Sequence, residues 1–144
     1  MANSPAAERL LADIRNQVQA SGWLESYFAD VKFDQPGRIR VELRFGVITR
    51  FGPPKHKPLG NQAPIVIIDQ TLIVEKITGY QYDFIDHGYG FRQAFHLHSE
   101  SGIPAQSHWH FDAGAKKKRS LGKIVSVDYA LGQFFKSYVA NRWG

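Results

Sequence analysis

The chain has 144 residues, of which 43% are hydrophobic, 13% aromatic and 22% charged, a composition of one folded domain that excludes a disordered, fibrous or low-complexity chain. Its longest apolar run, Ile65-Val66-Ile67-Ile68, stops at Asp69, far short of the about 20 residues a membrane helix needs, so no membrane partner is expected. The net charge is +5 and there is no cysteine. This rules out a disulfide framework and a thiolate zinc site and, with an N-terminus that lacks the charged start and apolar block of a secretory signal, sets the expected location as cytoplasmic.

Ser4 reads as the N-cap of a first helix with Pro5 at its first position, and Leu10, Leu11, Ile14 and Val18 supply a buried stripe that ends near Gly22. Trp23, Tyr27, Phe28 and Val31 continue a helical spacing until Pro36-Gly37 breaks it, which makes residues 1–36 a helical N-terminal part. From 38 to 49 the chain alternates, with Ile39, Val41, Leu43 and Phe45 on one side and Arg38, Arg40, Glu42 and Arg44 on the other, the clearest strand signal in the sequence. Residues 51–64 carry Pro53, Pro54, Pro58 and Pro64 around Lys55, His56 and Lys57 and read as an exposed loop. Strands are predicted at 65–68 and 72–78 about a turn at Asp69-Gln70-Thr71, then at 80–85. The turn residues Asp86-His87-Gly88-Tyr89-Gly90 lead into a returning strand at 91–98. A short strand at 107–111 runs into a basic loop at 114–122. A closing helix follows, capped by Ser126, with Asp128 in its first turn and Leu131, Phe134, Phe135, Tyr138 and Val139 as its buried stripe. The expected fold is a single α+β domain. An antiparallel β-meander of five or six strands occupies 37–112, with an N-terminal helical part packed on it and a basic loop and C-terminal helix in 113–144.

The charges are segregated along the chain. Residues 38–57 hold six basic side chains against Glu42, residues 114–123 hold five and no acid, and residues 69–112 hold six acids against Lys76 and Arg92. Basic segments that converge on one face raise the local potential well above what the net charge implies, which favours a polyanionic partner. Arg38, Arg40, Arg44, Lys116, Lys117, Lys118 and Arg119 are therefore the candidate nucleic-acid contacts, against the alternative that they form solvated surface. Tyr80, Tyr82, Tyr89 and Trp109 are either stacking platforms for bases or core.

Four of the six histidines form two His-x-His pairs, His96-Leu97-His98 and His108-Trp109-His110. Residues two apart on a strand face the same way, so each pair offers two imidazoles on one side, and Arg92 falls on the same side as His96 and His98. If the two strands form a hairpin, the imidazoles cluster. An imidazole titrates at about 6.5, so two neighbours can serve as base and acid on RNA, which carries its own 2′-hydroxyl nucleophile, while a cation holds the phosphate. That scheme needs no cofactor. The alternative is a divalent metal on His96, His98, His108 and His110 with Glu100 or Asp112 completing the shell, and the bland alternative is that the histidines are hydrogen-bonding structural residues. Asp83, Asp86 and His87 read as turn and solvent-face residues, and His56 has no role assigned.

Ile68-Asp69-Gln70-Thr71-Leu72-Ile73-Val74-Glu75, then Tyr80-Gln81-Tyr82-Asp83-Phe84, Phe91-Arg92 and the two histidine clusters, in that order, resemble the TumE-like toxins over about residues 65–143. The resemblance implies a growth-inhibiting member of a toxin–antitoxin pair, kept in check by an antitoxin protein. Taken with the residues, the expectation is a small toxin-like protein that acts on nucleic acid, with RNA cleavage through His96, His98, His108, His110 and Arg92 as the leading activity. A non-enzymatic module that binds nucleic acid or a protein partner is the alternative, and a metal-dependent hydrolase the third.

Overall fold

The computed structural model describes residues 3–22, 27–45, 64–74, 76–87, 90–98, 106–113, 116–121 and 124–143, with side chains except at 98, 106–113, 116–121 and 141–143. The element order is α1 (Pro5–Ser21), β1 (Tyr27–Gln35), β2 (Arg38–Phe45), β3 (Ile65–Ile73), β4 (Lys76–Asp86), β5 (Phe91–His98), β6 (Gln106–Ala113), β7 (Lys116–Leu121) and α2 (Val127–Trp143). Among the described residues seven strands form one antiparallel sheet in sequential order, so the single α+β domain with a helix at each end is as expected, with seven strands where five or six were expected. Among the described residues no helix is long and apolar enough to cross a membrane.

Both helix starts follow the sequence signals. Ser4 Oγ accepts from the Ala7 N–H at 3.1 Å and donates to Asp34 at 2.6 Å, which ties the start of α1 to β1. Gly22, at φ 73°, closes α1 in the left-handed conformation that glycine adopts without penalty. Ser126 Oγ accepts from the Tyr129 N–H at 3.1 Å at the head of α2. The helices lie against the same sheet face. Ala7, Leu10, Ile14 and Val18 of α1 and Val127, Ala130, Leu131, Phe134, Phe135 and Tyr138 of α2 are buried with Val41, Leu43, Val66, Ile68, Tyr82 and Phe84. Aromatic contacts carry much of this core, with Phe84 and Tyr138 rings 4.7 Å apart and Phe84 meeting Phe91 edge-on at 5.6 Å.

Three predicted elements are corrected. The second helical piece expected within 1–36 is strand β1 over Tyr27–Gln35. Tyr27, Ala29 and Val31, spaced by two, pack against the core while Phe28 faces out. The apolar residues there fit both periods, and β2 decides between them by offering an open edge, with Pro36-Gly37 as the hairpin turn between Gln35 and Arg38. The expected turn at Asp69-Gln70-Thr71 is the middle of β3. Val66, Ile68, Gln70 and Leu72 keep the core alternation, and Gln70 is tolerated inside because its Nε2 donates to the Tyr82 hydroxyl at 2.9 Å. The real turn follows Ile73, and Val74 adopts φ 49° in it. The basic loop expected at 114–122 contains strand β7, which pairs with β6 and forms the far edge of the sheet. Lysines are common on such edges, where their charge discourages pairing with another chain.

Candidate functional site

Alternation along β4 sends Tyr80, Tyr82 and Phe84 into the helix-covered core, where they are buried, and places Gln81, Asp83 and Ile85 on the opposite, helix-free face. Tyr80 and Tyr82 stack on each other with centroids 4.6 Å apart, so they are core and not base platforms. Tyr89 and the Trp109 side chain lie outside the described residues, as do His56 and Glu100. His87 is exposed after β4, as expected of a turn residue.

Strand register assembles the helix-free face in rows. Gln81 is opposite His96, which is opposite His108; Asp83 is opposite Ala94, then His110, then Arg119; Ile85 is opposite Arg92, then Asp112, then Lys117. His98 is opposite Gln106. The β5 and β6 strands thus pair as the hairpin that the two His-x-His motifs required, with His96 and His108 directly across from each other. Directly opposed residues have Cβ atoms about 4.5–5.5 Å apart. The side chains of His98, His108, His110 and of β7 are outside the described set.

At the centre of this face stands Asp83, which is 2% exposed and not the solvent-face residue expected from sequence. Arg92 donates to Asp83 Oδ1 from Nε at 3.2 Å and from an η-nitrogen at 2.8 Å, and Gln81 Nε2 donates to Oδ2 at 2.8 Å. His96 Nε2 lies 3.3 Å from each carboxylate oxygen. Burial pushes the Asp83 carboxyl up, but the hydrogen bonds from His96 and Gln81, the His96 charge and the bond from Arg92 outweigh it and hold the group down at about 2. Asp83 is therefore a fixed anion that orients one imidazole and one guanidinium. Asp86 is likewise buried and not in a solvent turn; it points into the core and accepts a hydrogen bond from the Tyr138 hydroxyl at 2.6 Å.

The β2 arginines share this face, but each already has an acid. Arg38 bonds Asp69 through Nε at 3.1 Å and an η-nitrogen at 2.7 Å, Arg40 reaches the same carboxylate at 3.3 Å, and Arg44 sits 3.8 Å from Glu42. These pairs are partly exposed, where an ion pair contributes about 0–1 kcal/mol and can open for a ligand. Lys116, Lys117, Lys118 and Arg119 are brought to the same end of the sheet as β5 and β6, two strands from Arg92. Among the described residues no group of three or more metal-ligating side chains gathers.

Sequence reasoning selected Arg92 and the histidines and missed Asp83 and Gln81 as their partners. The available signal was parity: within Tyr80-Gln81-Tyr82-Asp83-Phe84 the aromatic residues fix one face and leave Gln81 and Asp83 on the other. Compared with protein-family models, curated proteins and solved structures, the chain matches none.

Proposed function

We propose that the helix-free face acts on nucleic acid and cleaves RNA by acid–base catalysis. The observation that supports this reading is the Asp83–His96 pair, 3.3 Å apart, set in register with His108 and flanked by Arg92. Asp83 holds the His96 imidazole in place through Nε2, the kind of arrangement that orients a histidine for proton transfer. His96 removes the proton of a ribose 2′-hydroxyl. The 2′-oxygen attacks the adjacent phosphorus, the P–O5′ bond breaks, and a second histidine, from position 108 or 110, gives its proton to the departing 5′-oxygen. The products are a 2′,3′-cyclic phosphate and a 5′-hydroxyl. Arg92 neutralises the phosphoryl oxygens as charge develops, and the β7 cations hold flanking phosphates. With the resemblance to TumE-like toxins, this makes the protein a growth-inhibiting cytoplasmic nuclease restrained by an antitoxin.

A second reading is favoured by two observations, the burial of His96 and the acid partners of Arg38, Arg40 and Arg44. In it the face is a non-enzymatic module for nucleic acid or a protein partner, with structural or metal-ligating histidines.

Incubation of the purified chain with structured and single-stranded RNA, with and without a chelator, separates them. The first reading expects cleavage that survives the chelator, leaves cyclic phosphate ends, and falls by about 10²-fold or more in folded His96→Ala and His108→Ala variants. Intact RNA that is retarded on a gel supports the binding module. Cleavage abolished by the chelator identifies a metal-dependent hydrolase that uses His96, His98, His108 and His110.

A further inference from the structure

The helix-free face runs on from the histidines to β1, the edge strand opposite β7. On it Phe28 is directly across from Arg44 and Phe33 directly across from Arg40, so both phenylalanines share the face of the β2 arginines. Phe28 is 66% exposed and Phe33 39%. Neither packs against the core, in contrast to Tyr27, Ala29 and Val31 of the same strand. An exposed apolar edge strand invites pairing with another chain, so two rings held in solvent there are a cost to the fold unless a ligand covers them.

Register connects each ring to the centre around Asp83. One row of directly opposed residues runs Phe33, Arg40, Asp69, Gln81, His96, and another runs Phe28, Arg44, Ile65, Ile85, Arg92. From β1 to β5 there are four inter-strand steps of about 4.8 Å, so each row is about 19 Å long. The Arg38 guanidinium carbon lies over the Phe33 ring, 5.3 Å from its centroid. Arg38 and Arg40 share the one carboxylate of Asp69, which leaves that trio with one positive charge in excess. The other acids on this part of the face each lie against a cation, Asp30 at 2.8 Å from Lys32 and Glu42 at 3.8 Å from Arg44. Rings to stack on, with cations beside them, match a single-stranded nucleic acid, whose unpaired bases offer flat faces between phosphates; in a duplex those faces are covered.

We infer that Phe28 and Phe33 are a base-stacking platform, and that the ligand of this face is single-stranded RNA lying across the strands from β1 to the Arg92 and His96 end. The inference rests on the nucleic-acid reading of the face and names its substrate class, and it does not depend on cleavage. Phenylalanine has no polar atom with which to read a base edge, so the platform accepts any base.

The test follows, by fluorescence anisotropy, binding of the full chain to an RNA strand of about ten nucleotides, a length within the footprint of such faces. Every 2′-oxygen is methylated, so the strand has no 2′-hydroxyl nucleophile and stays intact whether or not the face cleaves RNA. A strand of the same length with abasic sugars keeps the phosphates and removes the stacking. Phe28→Ala and Phe33→Ala are each expected to weaken binding of the complete strand about fivefold or more with the salt slope unchanged, and Phe28→Trp to stay within about twofold of wild type. The abasic strand is expected to bind wild type and all three variants alike, which also shows that each variant is folded. Undiminished affinity in both alanine variants, equal wild-type affinity for the abasic and the complete strand, no binding of the complete strand, or a wild-type dimer in light scattering that Phe28→Ala dissociates each overturns the inference. If unmodified RNA stays uncut while the expected binding pattern is found, the cleavage reading falls and the platform stands. If both alanine variants cut single-stranded RNA at the wild-type rate, cleavage stands and the platform falls.

Discussion

Replacing Asp83 with Asn removes a charge and keeps the shape, and so isolates what the buried carboxylate contributes. Its group is held at about 2 against an ordinary 3.8, and each pKa unit is about 1.4 kcal/mol, so the ionised form contributes about 2 kcal/mol to folding. The folded value lies below the unfolded one. The contribution is therefore complete above about pH 4 and is lost as the pH falls toward 2. Wild type is expected to exceed Asp83→Asn by about 2 kcal/mol at pH 7, and by about half of that at pH 3. Urea denaturation followed by circular dichroism at steps from pH 7 to pH 3 measures both curves. A difference that stays constant across that range would refute the reasoning, because it would mean that Arg92, Gln81 and His96 hold the side chain by shape and not by its charge.

Tyr138→Phe deletes the hydroxyl that donates to buried Asp86 at 2.6 Å; a destabilisation of about 1.5–3 kcal/mol is expected in urea unfolding, and an unchanged midpoint would show that Asp86 is held by its other contacts. Val74 is a β-branched residue, 93% exposed, at φ 49°, so Val74→Asn should relieve about 1 kcal/mol of strain and raise Tm by about 4 °C in a thermal melt. Ser4→Ala removes the cap of α1 and the 2.6 Å bond to Asp34, an expected loss of about 1 kcal/mol read from the denaturation midpoint. Arg38 and Arg40 spend their charge on Asp69, so a double change to Gln should lower the salt slope of RNA binding by less than neutralising Lys117 and Arg119 does, where a slope change of about one per phosphate contact is expected; equal effects would show that the Asp69 pairs open on binding.

The sequence by itself determined the parts of this protein that depend on neighbours along the chain. Ser4 and Ser126 cap their helices because a hydroxyl reaches a backbone N–H three residues away. The alternation of 39–45 made β2 a strand with one buried face, and the two-residue spacing of the histidines placed each pair on one side of its strand. Tertiary structure decided what depends on partners far along the chain. Tyr27–Gln35 is a strand because β2 needed a neighbour, and Asp69-Gln70-Thr71 continues a strand because Arg38, Arg40 and Tyr82 meet the side chains of Asp69 and Gln70. The burial of Asp83 was decided in the same way, since a carboxylate enters such a site only when donors compensate its lost water; Gln81 comes from the same strand, but Arg92 and His96 reach it only through the pairing of β4 with β5.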